Sequence, residues 1–303
     1  MIAFAVSAAH AALTFADSPA LLRHRSRSGE RRRNGLELSW GIVHVTIPET
    51  ARRATRAGGE VLMKYFLQDV SMRHKGPVDL VSDADIESER AIADVIQEAY
   101  PNHSLLGEEE HTTEAAAEHL WIVDPLDGTT NFAHHIPHFS VSIAYYHHGI
   151  AQQAVVFNPA RHDWYTAERG QGAYHNNQLI NVCDASCMND VLIGVGFYYD
   201  RGAVMEATLT AVKECFGYQI RGIRRMGTAS LDLAQVAAGH YGAYFEYQLS
   251  AWDFAAGRLL VEEAGGRVTT CRGTDLPLEK TSVLACNSRL YETMREITVR
   301  HHP

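Results

Sequence analysis

Basic residues are scarce in this sequence of 303 residues: 27 Lys and Arg stand against 36 Asp and Glu, a formal charge of −9. A chain so acidic is a poor general binder of nucleic acid, although metal ions can still invert the local field for an anionic substrate. No apolar run approaches the roughly 18 residues a membrane helix needs. The five cysteines (Cys183, Cys187, Cys215, Cys271 and Cys286) are odd in number and scattered. They read as reduced thiols of a cytoplasmic protein, and Cys183 and Cys187 lack the spacing and the second pair of a zinc site. Internal repeats and long linkers are also missing. What remains, at 46% hydrophobic and 21% charged, is the composition of a globular enzyme.

The first 45 residues stand apart. The apolar MIAFAVSAAHAALTFA precedes the basic RHRSRSGERRR, and residues 1–40 carry six Arg against three acids. A secretory leader has its positive charge first. Residues 1–45 are therefore expected to be an N-terminal extension, either a flexible tail or a start assigned too early, rather than a targeting segment.

From residue 46 the patterns alternate. PETARRATRAGGEVLMKYFLQ (48–68) has helical spacing behind a proline, and Asp85 opens a second helix after the extended DLVSDAD. HSLLG and HLWIVD read as strands, the second expected to stop at Pro125, which cannot donate a ladder hydrogen bond. Residues 139–180 are rich in β-branched and aromatic residues between turn signals and read as an antiparallel meander. After about residue 188 strands alternate with helices at 203–217, 228–239, 252–264 and 288–299. The order predicts one α/β unit in two packed halves, 46–187 and 188–303.

Acids recur at the ends of apolar elements: Glu108 after Gly107, Asp124 and Asp127 in WIVDPLDGTTNF, and Asp253 after Trp252. Each alone has an ordinary reading as a turn residue or a first-turn helix acid. Together they place uncompensated negative charge beside a core, where carboxylates raise each other's pKa unless a cation neutralises them. Hard oxygen ligands of this kind favour Mg²⁺, and the Leu126 carbonyl would face the same ion. Gly128 allows close backbone approach, and Thr129, Thr130 and Asn131 offer donors to a phosphate. His134, His135, His147 and His148 are less suited as ligands for the catalytic metal, because neighbouring side chains in a strand face opposite ways.

The segments GEE (107–109), WIVDPLDGTTNF (121–132) and WDFAAGRLLVEEAGG (252–266) resemble the inositol monophosphatase family of Mg²⁺-dependent, lithium-sensitive sugar phosphatases. So do KGPVDLVSDAD, PHFSVSIA, GQGAYHNNQLI and RRMGTASLDLAQVAAG, so the resemblance spans roughly residues 48 to 300. It implies an α/β (α+β layered) fold, an αβαβα sandwich with antiparallel or mixed sheets. It implies two or three Mg²⁺ ions held by Glu108, Asp124, the Leu126 carbonyl, Asp127 and Asp253. Thr129, Glu108 and Asp85 would orient and deprotonate the attacking water. Asp127, Gly128, Thr129, Gly227, Thr228, Ala229, Glu246 and Asp253 would bind substrate. The implied reaction is hydrolysis of inositol 1-phosphate or a related polyol phosphate by direct in-line attack of metal-activated water. Histidinol phosphate and fructose 1,6-bisphosphate are the alternative substrates, although GTTN differs from the adenosine bisphosphate and fructose bisphosphatase patterns. The segment EYQLSAWD (246–253) departs from the animal-type enzymes. A homodimer without membrane attachment is expected, with nucleic acid at most a partner in an added regulatory role.

Overall fold

The computed structural model describes residues 45–67, 72–74, 80–113, 115–197, 199 and 201–303. The expected N-terminal extension, Val45 apart, lies outside them. From His44 to Pro303 the chain forms one unit.

Two sheets carry it. The larger has seven strands: β3 (Ser104–Gly107), β4 (His119–Asp127), β5 (Ser140–His147), β6 (Ile150–Asn158), β7 (Asp163–Glu168), β8 (Gly172–His175) and β9 (Gln178–Ile180), in that spatial order. β3 and β4 run parallel, and the remainder is the expected antiparallel meander. The smaller sheet has β10 (Leu192–Val195), β11 (Gly222–Arg224), β12 (Ala243–Leu249), β13 (Gly266–Thr269) and β14 (Thr281–Asn287), in the order β11-β10-β12-β14-β13. A small hairpin, β1 (Met72–His74) with β2 (Leu80–Ser82), stands apart from both.

Side-chain alternation turns these sheets into layers. Along β4, Trp121 and Val123 pack beneath α1 (Ile47–Phe66) and α2 (Asp83–Ala99), against Ala54, Leu62, Ile92 and Ile96. Leu120 and Ile122 point the other way, onto α5 (Ala229–Ala237) and α6 (Ala251–Glu263). In the second sheet Tyr244, Val283 and Ala285 face that same middle layer. Phe245, Leu284 and Cys286 face α4 (Ala203–Gly217) and α7 (Tyr291–Arg300). The result is an αβαβα sandwich. Strands covered on both faces must be apolar at every position, which is why HLWIV and AYF show no polar alternation.

Three local features differ from the sequence reading. α2 opens at Asp83, two residues before Asp85. β4 does not stop at Pro125: it continues to Asp127 through a bulge, with Asp124 opposite Ser142 and Asp127 opposite Ser140. A bulge is one of the few places in a sheet where proline's missing N–H costs no ladder bond. Finally, His147 and His148 do not diverge. His148 has left the strand for a two-residue hairpin turn with Gly149, both at positive φ (50° and 73°), and its ring lies 4.3 Å from that of His147.

The layering fixes where chemistry can occur. β3 is parallel to β4, so Glu108 and the Asp124–Asp127 bulge emerge at the same edge of the sheet. The first turns of α5 and α6 meet them there.

Candidate active site

Each carboxylate is presented by a distinct local device. The bulge turns Asp124 and Asp127 toward the edge of the sheet and is pinned from behind, where the Ser88 hydroxyl of α2 donates to the Pro125 carbonyl at 3.0 Å. Asp124 Oδ1 accepts from Leu126 N at 3.0 Å. Asp127 accepts from the start of α5: Ala229 N at 3.2 Å, Ser230 N at 2.7 Å and the Ser230 hydroxyl at 2.6 Å. Asp253 Oδ2 accepts from Ser250 N at 2.6 Å, holding the first turn of α6. The ordinary reading of this acid, as a first-turn helix residue, therefore holds, and the same residue also lines the cavity.

Glu108 is positioned by a residue that sequence reasoning missed. Glu89, fully buried on α2, accepts from Glu109 N and Glu110 N at 2.8 Å each, from His111 N at 3.0 Å, and lies 2.7 Å from His111 Nδ1. One carboxylate thus shapes the loop that carries Glu108. A Cβ on Gly107 would sit 2.5 Å from that carboxylate, so the strand-end glycine is a requirement of close approach rather than of turn geometry.

These devices converge on one cavity of about 300 Å³. Its walls include Glu108, Asp124, Leu126, Asp127, Gly128, Thr129, Thr130, Gly227, Thr228, Ala229, Glu246 and Asp253, every candidate from the sequence except Asp85 and Asn131. Asp85 is buried in the first turn of α2 and is not a wall residue. Asn131, expected to offer a donor to phosphate, is used structurally: its Nδ2 lies 2.7 Å from the His138 carbonyl and 2.8 Å from that of Met226. This cross-link brings the GTTN and MGT segments together. Gly128, at φ 95°, sits where a Cβ would come 2.7 Å from Thr228 Oγ1.

The walls also hold Asp232 and Arg225, which sequence reasoning did not single out. Both lie inside the quoted RRMGTASLDL, and Asp232, a charge on the apolar run of α5, is the signal that was available. Among the described residues the wall then carries six carboxylates (Glu108, Asp124, Asp127, Asp232, Glu246 and Asp253) against one guanidinium. Burial first, then repulsion from Glu108, Asp127 and Asp253, holds the Asp124 carboxyl well above the usual range. Burial, followed by Glu108 and Asp127, does the same to Asp253. Burial raises Asp127 to about 6 against the opposing hydrogen bonds from Ser230 and Ala229. It raises Glu246 to about 7, although the Tyr244 hydroxyl donates to it at 2.6 Å. Asp232 is raised too, again chiefly by burial, and its Oδ1 has no hydrogen-bond partner among the described residues. Clustered acids with an orphaned buried oxygen form an all-oxygen donor set that a hard divalent cation would satisfy.

Comparison with known proteins agrees with this architecture. Residues 45–302 match the model of the inositol monophosphatase family. The chain is 42% identical over 254 residues to an inositol-1-monophosphatase of Rhizobium meliloti, covering 83% of this chain and 95% of that protein. It is 40% identical over 260 residues to a protein of Pseudomonas aeruginosa named Nus factor SuhB, covering 84% and 96%. Among solved structures, the extragenic suppressor protein suhB of Bartonella henselae superposes with a TM-score of 0.77 at 36% identity, covering 82% of this chain and 96% of that one. The family match and the inositol monophosphatase relatives support a phosphatase. The chain belongs to the inositol monophosphatase family.

Proposed function

We propose that the acidic cavity is a Mg²⁺-dependent active site that hydrolyses inositol 1-phosphate or a related polyol phosphate to the alcohol and inorganic phosphate. One observation carries this reading: six carboxylates from four separate segments meet in a single cavity where, among the described residues, Arg225 is the one basic wall residue. In this reading Glu108, Asp124 and the Leu126 carbonyl would hold one ion, and Asp124, Asp127 and Asp253 a second. A third is associated with Glu108. When bound, Mg²⁺ neutralises phosphate charge and makes water a better nucleophile at neutral pH.

The chain's own groups do the rest. The Thr129 hydroxyl, now donating to the Leu126 carbonyl at 3.2 Å, turns on the wall to orient the attacking water. Glu108 accepts the proton of that water. Asp85, buried in the first turn of α2, helps Thr129 orient that water. Gly227, Thr228 and Ala229 line the side toward the alcohol. There Asp253 and Glu246 accept hydrogen bonds from polyol hydroxyls, and a Glu246 pKa near neutrality lets it do so in either protonation state. Water itself attacks phosphorus, in line with the departing alcohol oxygen, so no residue becomes phosphorylated.

A panel of phosphate esters tests the reading. With Mg²⁺, kcat/KM for inositol 1-phosphate is expected to exceed that for histidinol phosphate and fructose 1,6-bisphosphate, and Li⁺ is expected to inhibit. Turnover that is unchanged in excess chelator contradicts it.

One finding favours a further role beside hydrolysis, namely the Nus-factor name of the Pseudomonas relative. We read any such role as additional, because the acidic cavity is complete. A cytoplasmic homodimer is proposed on the family resemblance.

A further inference from the structure

At the opposite end of β4 from the acidic cavity, a second cluster of ligand-type side chains has no part in the reaction above. Glu118 immediately precedes β4, His119 begins it, and His147 ends β5 directly across the ladder from His119. His148 follows in the hairpin turn, and its backbone N–H donates to the Glu118 carbonyl at 2.8 Å. The positive φ of His148 is what brings its ring back over the strand end.

Three imidazoles converge on one carboxylate oxygen. Glu118 Oε1 lies 3.4 Å from His148 Nε2, and 3.8 Å from both His147 Nε2 and His119 Nε2. Ligand atoms of Glu118, His147 and His148 all fall within 4.8 Å of one another. Zinc bonds of about 2.0–2.2 Å place tetrahedral ligand atoms about 3.3–3.5 Å apart, so only small side-chain movements separate this cluster from a closed site. The group is open to solvent, with Glu118 and His148 more than half exposed.

We infer that Glu118, His147 and His148 form a surface site for a borderline divalent ion such as Zn²⁺, with His119 or water completing the coordination. Imidazole with a single carboxylate favours Zn²⁺ and its neighbours over Mg²⁺, the reverse of the all-oxygen cavity. The surroundings suit such an ion. His119 Nδ1 lies 2.7 Å from the Tyr145 hydroxyl, and an Nδ1–H donated there leaves Nε2 as the free lone pair. His103 stacks on His119 with ring centroids 4.4 Å apart. Its Nδ1 accepts from Trp121 Nε1 at 3.1 Å, which takes His103 out of the ligand set and makes it a neutral shelf. β4 spans eight residue steps from His119 to Asp127, about 26 Å at the usual rise, so the two sites do not share an ion.

The test is equilibrium dialysis of the full chain against Zn²⁺ with Mg²⁺ saturating, in the parent, His148→Ala, His147→Ala and Asp253→Asn. Tight binding of a single Zn²⁺ is expected in the parent and in Asp253→Asn. Each His→Ala change is expected to weaken it by more than the roughly 10- to 100-fold that outer-shell changes cost. Phosphate release in Mg²⁺ by His148→Ala should equal that of the parent, showing that the fold is intact. Zn²⁺ binding that is absent from the parent, unaltered in both His variants, or abolished in Asp253→Asn would overturn the inference.

Discussion

In saturating Mg²⁺, Asp124→Asn is expected to release phosphate at least about 10³-fold more slowly than the parent, while melting no lower than the parent in chelator. The two halves of this result have one cause. Asp124 is 1% exposed and surrounded by Glu108, Asp127 and Asp253, so its charge is costly wherever no cation stands beside it. Asparagine has the same shape, and its amide oxygen can still accept from Leu126 N. Removing the charge therefore relieves repulsion in the metal-free protein. In the metal-bound protein the same change would remove a proposed ligand of both ions. Metal ions contribute several kcal/mol of charge stabilisation in such reactions, and about 4 kcal/mol corresponds to roughly 10³-fold in rate. Phosphate release and thermal melts with and without Mg²⁺ check both halves. Near-normal turnover would remove Asp124 from the chemistry, and collapse of the variant in chelator would make it a structural residue.

The second large effect is on stability against pH in the absence of divalent ions. Asp127 moves from 3.8 to about 6 on folding and Glu246 from 4.5 to about 7, both through burial. At about 1.4 kcal/mol per pH unit, each displacement amounts to about 3 kcal/mol. Because both folded values are raised, the native state holds the extra protons. That stability is fully present below about pH 4 and is lost as pH rises through 6 and 7. At about 2–4 °C per kcal/mol for a chain of this size, the melt in chelator is expected to fall by on the order of 10 °C between about pH 5 and pH 8. Mg²⁺ requires ionised ligands, so the gain in melting temperature from added Mg²⁺ should widen over the same interval. Melts at both pH values, with and without Mg²⁺, check this. A chelated protein that grows more stable toward pH 8 would show that these acids are neutralised within the chain.

The layered fold was legible because its determinants are local and periodic. Doubly covered strands such as HLWIV read as unbroken apolar runs, and α6 ends where Gly265 and Gly266 say it should. The acids at element ends were legible for a related reason, since charge adjoining an apolar run marks the point where a strand or helix meets solvent or a ligand. What escaped were features set by contacts distant in sequence. Nothing near Glu89 announces that it will clamp the Glu108 loop twenty residues later. The continuation of β4 through Pro125 depends on a one-residue bulge against β5 and on Ser88 of α2. Asp85 was carried by resemblance to the water site, and it is buried in the first turn of α2 and not among the residues lining the cavity. His147 and His148 were read with strand geometry, whereas the turn dihedral at His148 decides where its ring lies.

The most direct measurement is anomalous scattering from crystals soaked in Mn²⁺ as a substitute for Mg²⁺. Peaks within bonding distance of carboxylate oxygens of Glu108, Asp124, Asp127 and Asp253 are the expected result, with those at Asp124 weakened or gone in Asp124→Asn. A cavity that stays without metal at Mn²⁺ concentrations supporting turnover would contradict the assignment of these four acids as one metal centre.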